Sequence, residues 1–128
     1  MGHAPIMHRA EFERFILTLP AAQIVRQWRD DSVAKVGGKI FALLDRDPGE
    51  IWFKASDLSF RLLIEETGIR PAPYFARASW VAVGPESRFD DAELRAYLEM
   101  AHRLIGQRLT RRVRTELGLD AYLAGKIA

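Results

Sequence analysis

Residues 35–44, KVGGKIFALL, set two glycines and a lysine inside an apolar run, and the fold turns on how that glycine pair is read. A phosphate-binding loop needs a glycine five positions before the glycine that precedes its lysine. It also needs a hydroxyl residue straight after the lysine, so that backbone amides and a metal ligand surround the phosphates. Position 33 is Val and position 40 is Ile, so both requirements fail. No helical periodicity follows to supply the free amides that hold an anion. What remains is strand, turn, strand: Gly37-Gly38 offers the positive φ angles of a two-residue hairpin turn.

Working outward from the hairpin, AQIVRQW (22–28) and SVAKV (32–36) read as strands joined at RDD, and KIFALLD (39–45) as a third. RDPGE (46–50) marks a tight turn into a fourth strand, IWFKA (51–55). Short strands joined by tight turns form an antiparallel meander, because parallel neighbours need long crossovers. Before them, Phe12, Phe15, Ile16 and Leu19 recur at helical spacing in HRAEFERFILTL (8–19), with Pro20 beyond the end. After them, ASDLSFRLLIEETG (55–68) reads as a helix capped by Ser56 or Asp57 and stopped by Gly68.

IRPAPYFARA (69–78) reads as irregular, because two prolines remove donors and push their predecessors out of helical geometry. SWVAVG (79–84) is a fifth strand. The segment 88–109 opens on Asp90 and Glu93 in capping-box spacing and carries Leu94, Tyr97, Leu98, Ala101 and Ile105 on one stripe. On that helix Arg108 and Arg112 project back onto the apolar stripe, so it should bend or fray after Gly106.

The order is α-β-β-β-β-α-β-α. It predicts an α+β two-layer sandwich, an antiparallel sheet of about five strands covered on one face by helices. The chain of 128 residues reads as a single domain with its core over 8–110 and a basic C-terminal extension, 111–128. It has no cysteine, which excludes disulfides, thiolate nucleophiles and sulfur-ligated metals. No run approaches the length of a membrane span and no signal peptide opens the chain, so a cytoplasmic monomer without membrane contact is expected. Net charge is only +2, but residues 85–99 carry −3 and residues 100–128 carry +4. The basic end hints at an anionic partner and also suits the dipole of a C-terminal helix.

KVGGKIFALL, IWFKA, GIRPAPYFARASWVAV and DDAELRAYLEMAHRLIGQRL, in this order and spacing, together resemble the MmcQ/YjbR family over residues 8–110. The resemblance implies a compact α+β domain similar to frataxin-type and secretion-chaperone-type folds, with a double-wing arrangement and a DNA-binding role that rests on fold analogy. It places the family's glycine pair and lysine on Gly37, Gly38 and Lys39, and its loop and tryptophan motif on Pro71, Tyr74, Arg77 and Trp80. Where many relatives carry HMNK or similar polar residues before the tryptophan, this chain has YFARAS (74–79), which lacks the histidine and the amide.

Catalysis has little material. Asp30-Asp31 and Glu65-Glu66 are sequence neighbours, which point apart on a strand or helix. The three histidines have no HxxxH spacing, and no serine sits in a nucleophile elbow. The chain is therefore expected to be non-enzymatic, with no metal and no cofactor. Nucleic-acid binding has more: Lys35 and Lys39 flank the hairpin turn, Lys54 closes the fourth strand, and Arg70 and Arg77 flank the proline loop that contains Tyr74. Such cations neutralise phosphates, and Tyr74 offers a stacking face. Arg103, Arg111 and Arg114 suggest a second basic patch on the last helix. Two alternatives stand beside DNA: a small-ligand or peptide pocket around Pro71–Trp80, with Arg77 holding a carboxylate, and a protein-binding adaptor that uses an open sheet face.

Overall fold

The glycine pair forms the turn: Gly37 lies at φ +57° and Gly38 at φ +80°, a region that side chains disfavour. The computed structural model describes residues 7–45, 49–73 and 78–125. The turn joins β2 (Asp31–Val36) to β3 (Lys39–Leu44), and β1 (Ala22–Gln27) pairs with β2 on the other side. β4 (Ile51–Lys54) follows, then β5 (Ile69–Pro71) and β6 (Trp80–Val83). All six pair antiparallel in the order β1-β2-β3-β4-β6-β5. The RDPGE turn falls partly on residues 46–48, outside the described residues.

The sheet has one strand more than expected. Residues 69–71 pair with Val81–Val83 despite Pro71, because β5 is an edge strand and proline's missing N–H leaves no central ladder bond unmade. A second feature hidden from sequence is a bulge. Ala34 pairs with Ala42 but Lys35 pairs with Ile40, so Phe41 is an extra residue on β3. Phe41 and Ala42 therefore both join the core beneath the helices, and Ile40 packs against the other face.

Five helices share one core with that inner face: α1 (Arg9–Ile16), α2 (Asp57–Leu63), α3 (Asp91–Gly106), α4 (Arg111–Glu116) and α5 (Asp120–Ala124). Phe12 and Ile16 of α1 and Leu94 and Leu98 of α3 meet Phe41, Phe53 and Val81 of the sheet. Ser56 caps α2 by accepting from the Ser59 amide at 3.1 Å. Asp90 and Glu93 form a reciprocal capping box at the start of α3. α3 stops at Gly106, where the sequence placed a bend, and a separate short helix begins at Arg111 behind Thr110. The far face of the sheet is not bare: Val33, Leu43, Ala72, Trp80 and Ala82 are all buried. Val25, Ile40 and Trp52 remain partly accessible there. Among the described residues, no helix is long and apolar enough to cross a membrane.

Candidate functional site

Gly37 does more than turn the chain. A Cβ at this position would stand 2.7 Å from both Leu109 methyls, so any side chain here would force Leu109 to shift away from the hairpin. This contact sets Lys39, the first residue of β3, beside the segment that carries Arg108 and Arg111. Lys35 is one residue before the end of β2; its strand neighbours Ala34 and Val36 point into the core, so it faces the other side. Lys35 and Lys39 thus stand on opposite faces of the hairpin, and the segment carrying Arg108 and Arg111 passes it at Leu109.

Among the described residues, six arginines make ion pairs. Arg26 donates to Glu13 from both Nε and Nη2, at 3.1 and 3.2 Å, and Arg9 reaches Asp30 at 3.2 Å. Arg70 holds Glu50 at 2.6 Å, Arg103 approaches Glu99, and Arg112 pairs with Glu116 one helical turn on. Lys35, Lys39, Arg108 and Arg111 make no ion pair among the described residues. Cations without carboxylates raise the local positive potential, and Lys35, Lys39 and Arg111 do so at or near the hairpin end.

Lys54 corrects the surface role expected of it. It is 4% exposed, and its Nζ donates to the Ala78 carbonyl, so it cannot reach a phosphate in solution. Burial pushes its ammonium pKa down, and the neighbouring Arg108 charge adds to the effect. Next to it, the Ser79 hydroxyl donates to Asp57 at 2.6 Å, which holds the Asp57 carboxyl below the usual range, with Lys54, Arg61 and Arg108 acting the same way. Ser79 sits at φ +62°, a left-handed conformation uncommon outside glycine. Lys54, Asp57 and Ser79 therefore tie the entry of β6 to the end of β4 and the start of α2.

The remaining candidates separate. Arg70 is bound by Glu50, which also accepts from the Trp52 indole at 3.2 Å, so its charge is spent inside the sheet's own network. Tyr74 and Arg77 lie outside the described residues. Trp80 is 5% exposed in the small far-face cluster with Ala72 and Ala82. Of the expected helical patch, Arg103 is used internally: it donates to the Tyr122 carbonyl and lies 4.0 Å over that ring, while Arg111 stays exposed. Among the described residues, no group of three or more His, Asp or Glu could hold a metal ion. Arg108 is the site residue the sequence reading put to another use, since a helical wheel places it on the apolar stripe.

The model of the YjbR family matches residues 17–104. The chain belongs to the YjbR family. The crystal structure of Deinococcus radiodurans protein DR2400, which carries the domain DUF419, is similar in fold: TM-score 0.76, 22% identity, covering 91% of this chain and 92% of that one. No curated protein matches the chain in sequence. Within this YjbR protein the matched region contains Lys35 and Lys39, while Arg108 and Arg111 lie beyond it. The unpaired cluster is thus built half from the YjbR hairpin and half from the C-terminal segment, joined through Gly37 and Leu109.

Proposed function

We propose that this YjbR protein is a non-enzymatic binder of nucleic-acid phosphates, and that the hairpin end makes the contact. The observation that carries this is the grouping of cations at one turn. Lys35 and Lys39 stand at the hairpin and Arg111 just beyond the Leu109 contact, all without an ion pair among the described residues, while Arg108, whose charge also acts on Asp57, lies in the same segment. Unpaired surface cations gain from phosphates by releasing condensed counterions, a term indifferent to base sequence. Binding should accordingly be weak, salt-sensitive and largely sequence-independent.

Fluorescence-anisotropy titration with short DNA across a salt series tests this. The Lys39→Glu/Arg108→Glu variant is expected to bind at least about tenfold more weakly at low salt. Its slope of log affinity against log salt should shrink by about 2, one for each phosphate that is no longer neutralised. Lys54→Met should bind as the wild type does, because its amine is already buried against Ala78. Absence of binding at low salt, or undiminished affinity in a folded double variant, would refute the reading.

A further inference from the structure

We infer that the opposite tip of the same sheet, Trp28-Arg29 in the β1–β2 turn, is a base-stacking platform that gives this protein a preference for single strands. The inference rests on the phosphate-binding reading and extends it to a second contact. Trp28 is 59% exposed, a large apolar area to leave in water at a tip. The other two tryptophans differ: Trp80 is buried, and Trp52 is half-buried with its indole N–H on Glu50. Trp28 also sits at φ +59°, an uncommon conformation for a bulky residue, and such strain collects where ligands are clamped.

The tip is held in place. Asp30, also left-handed at φ +67°, receives Arg9 twice: Nη1 reaches its carboxylate at 3.2 Å and Nη2 its carbonyl at 2.6 Å. Arg9 Nε donates to Ser32 at 2.9 Å, so one arginine of α1 braces both the turn and the strand that leaves it. A stacking ring presented on a braced turn loses little freedom on binding. Arg29 beside it is exposed and makes no ion pair among the described residues.

Geometry links this tip to the basic end. The β1–β2 ladder has six residue pairs, from Gln27–Asp31 to Ala22–Val36, which is about 17 Å at ~3.4 Å per residue. That distance equals about five nucleotides at the ~3.4 Å per-strand spacing of a duplex, and an extended single strand covers it with fewer. The far face between the ends carries Gln23, Val25 and Gln27, with Lys35 opposite Gln23 and half-buried Asp31 opposite Gln27. A strand laid there runs from the Trp28 tip to Lys35, a ring at one end and a cation at the other, the pairing that sequence-tolerant single-strand binders use.

The test compares an oligothymidylate of about ten nucleotides with a duplex of the same length. Trp28→Ala should weaken single-strand binding by about 5- to 100-fold, leave duplex binding unchanged and keep the thermal melt of the wild type. Trp28→Phe, which retains a ring, should keep most of the affinity. Wild-type tryptophan emission should be quenched by the oligothymidylate, and this quenching should vanish in Trp28→Phe. Unchanged single-strand affinity in Trp28→Ala, or equal weakening for both DNAs, would overturn the stacking platform while leaving the phosphate contact intact. Failure of the wild type to bind either DNA would overturn both.

Discussion

Gly37→Ala should destabilise this YjbR protein by about 2–5 kcal/mol, the sum of about 1–2 for an alanine held in the left-handed region and about 1–3 for overpacking. Both terms come from one atom. The added Cβ must adopt φ +57° and would sit 2.7 Å from the Leu109 methyls, which cannot retreat freely because Leu109 is itself 5% exposed in the core. Gly38 provides the control. At φ +80° it bears the same conformational demand, but nothing lies within 4 Å of a Cβ there. Gly38→Ala should therefore cost only the conformational share, about 1–2 kcal/mol. Urea unfolding separates the two: the Gly37 variant should unfold at about 1 M lower denaturant or more, and the Gly38 variant between it and the wild type. Equal midpoints would mean that Leu109 does not press on the hairpin, and the grouping of Lys39 with Arg108 would lose its support.

His102→Ala is expected to cost about 3–5 kcal/mol, since it empties a core position and strands a carbonyl. The ring is fully buried, edge-on to Phe41 at 5.2 Å and to Tyr122 at 5.4 Å, and Nε2 donates to the Pro20 carbonyl at 2.8 Å. Nδ1 has no partner among the described residues, so the neutral ring with its proton on Nε2 is the form that fits. Burial lowers its pKa below the ordinary 6.5. The Pro20 bond and Glu99 oppose that shift, and the Arg103 charge reinforces it.

The sign of the pH effect follows. Below pH 6.5 the unfolded chain takes up a proton at this histidine before the folded one does, so stability falls as pH drops from 6.5 toward the lower folded value. Glu13 acts in a separate and more acidic window. Its pKa is lowered chiefly by the hydrogen bond from Arg26, so its contribution is present above the ordinary value of 4.5 and is lost as pH falls through the folded value. Urea midpoints between about pH 8 and about pH 5 should decline in the wild type and decline less in His102→Gln. Equal declines would place the proton elsewhere.

Most of the architecture was legible in the sequence because local signals agreed with the tertiary outcome. Gly37-Gly38 demands positive φ whatever surrounds it, Asp90 and Glu93 close a cap within four residues, and the Phe12–Ile16 spacing puts one stripe of α1 inward. β5 was missed because two prolines argue against a strand, and only the position at the sheet edge makes Pro71 harmless. The short helices α4 and α5, in what read as a basic extension, exist because Val113, Leu119 and Leu123 find the shared core. Neither is long enough to be stable alone.

The site was less legible, and the reason is pairing. A sequence shows which residues carry charge but not which carboxylate stands opposite, so Lys54, Arg70 and Lys39 looked alike. The fold then buried the first against Ala78, matched the second to Glu50 and left the third in water. Arg108 appeared to lie on an apolar stripe until α3 ended at Gly106, which leaves it exposed and within electrostatic reach of Lys54 and Asp57. The amino-acid order alone determined the elements, the hairpin and the antiparallel class, because turn conformation, capping and periodicity act within a few residues. Which cations remain free, how Phe41 reaches the core and what Gly37 makes room for were decided only by tertiary structure, since each depends on atoms far apart in the chain meeting within a few ångströms.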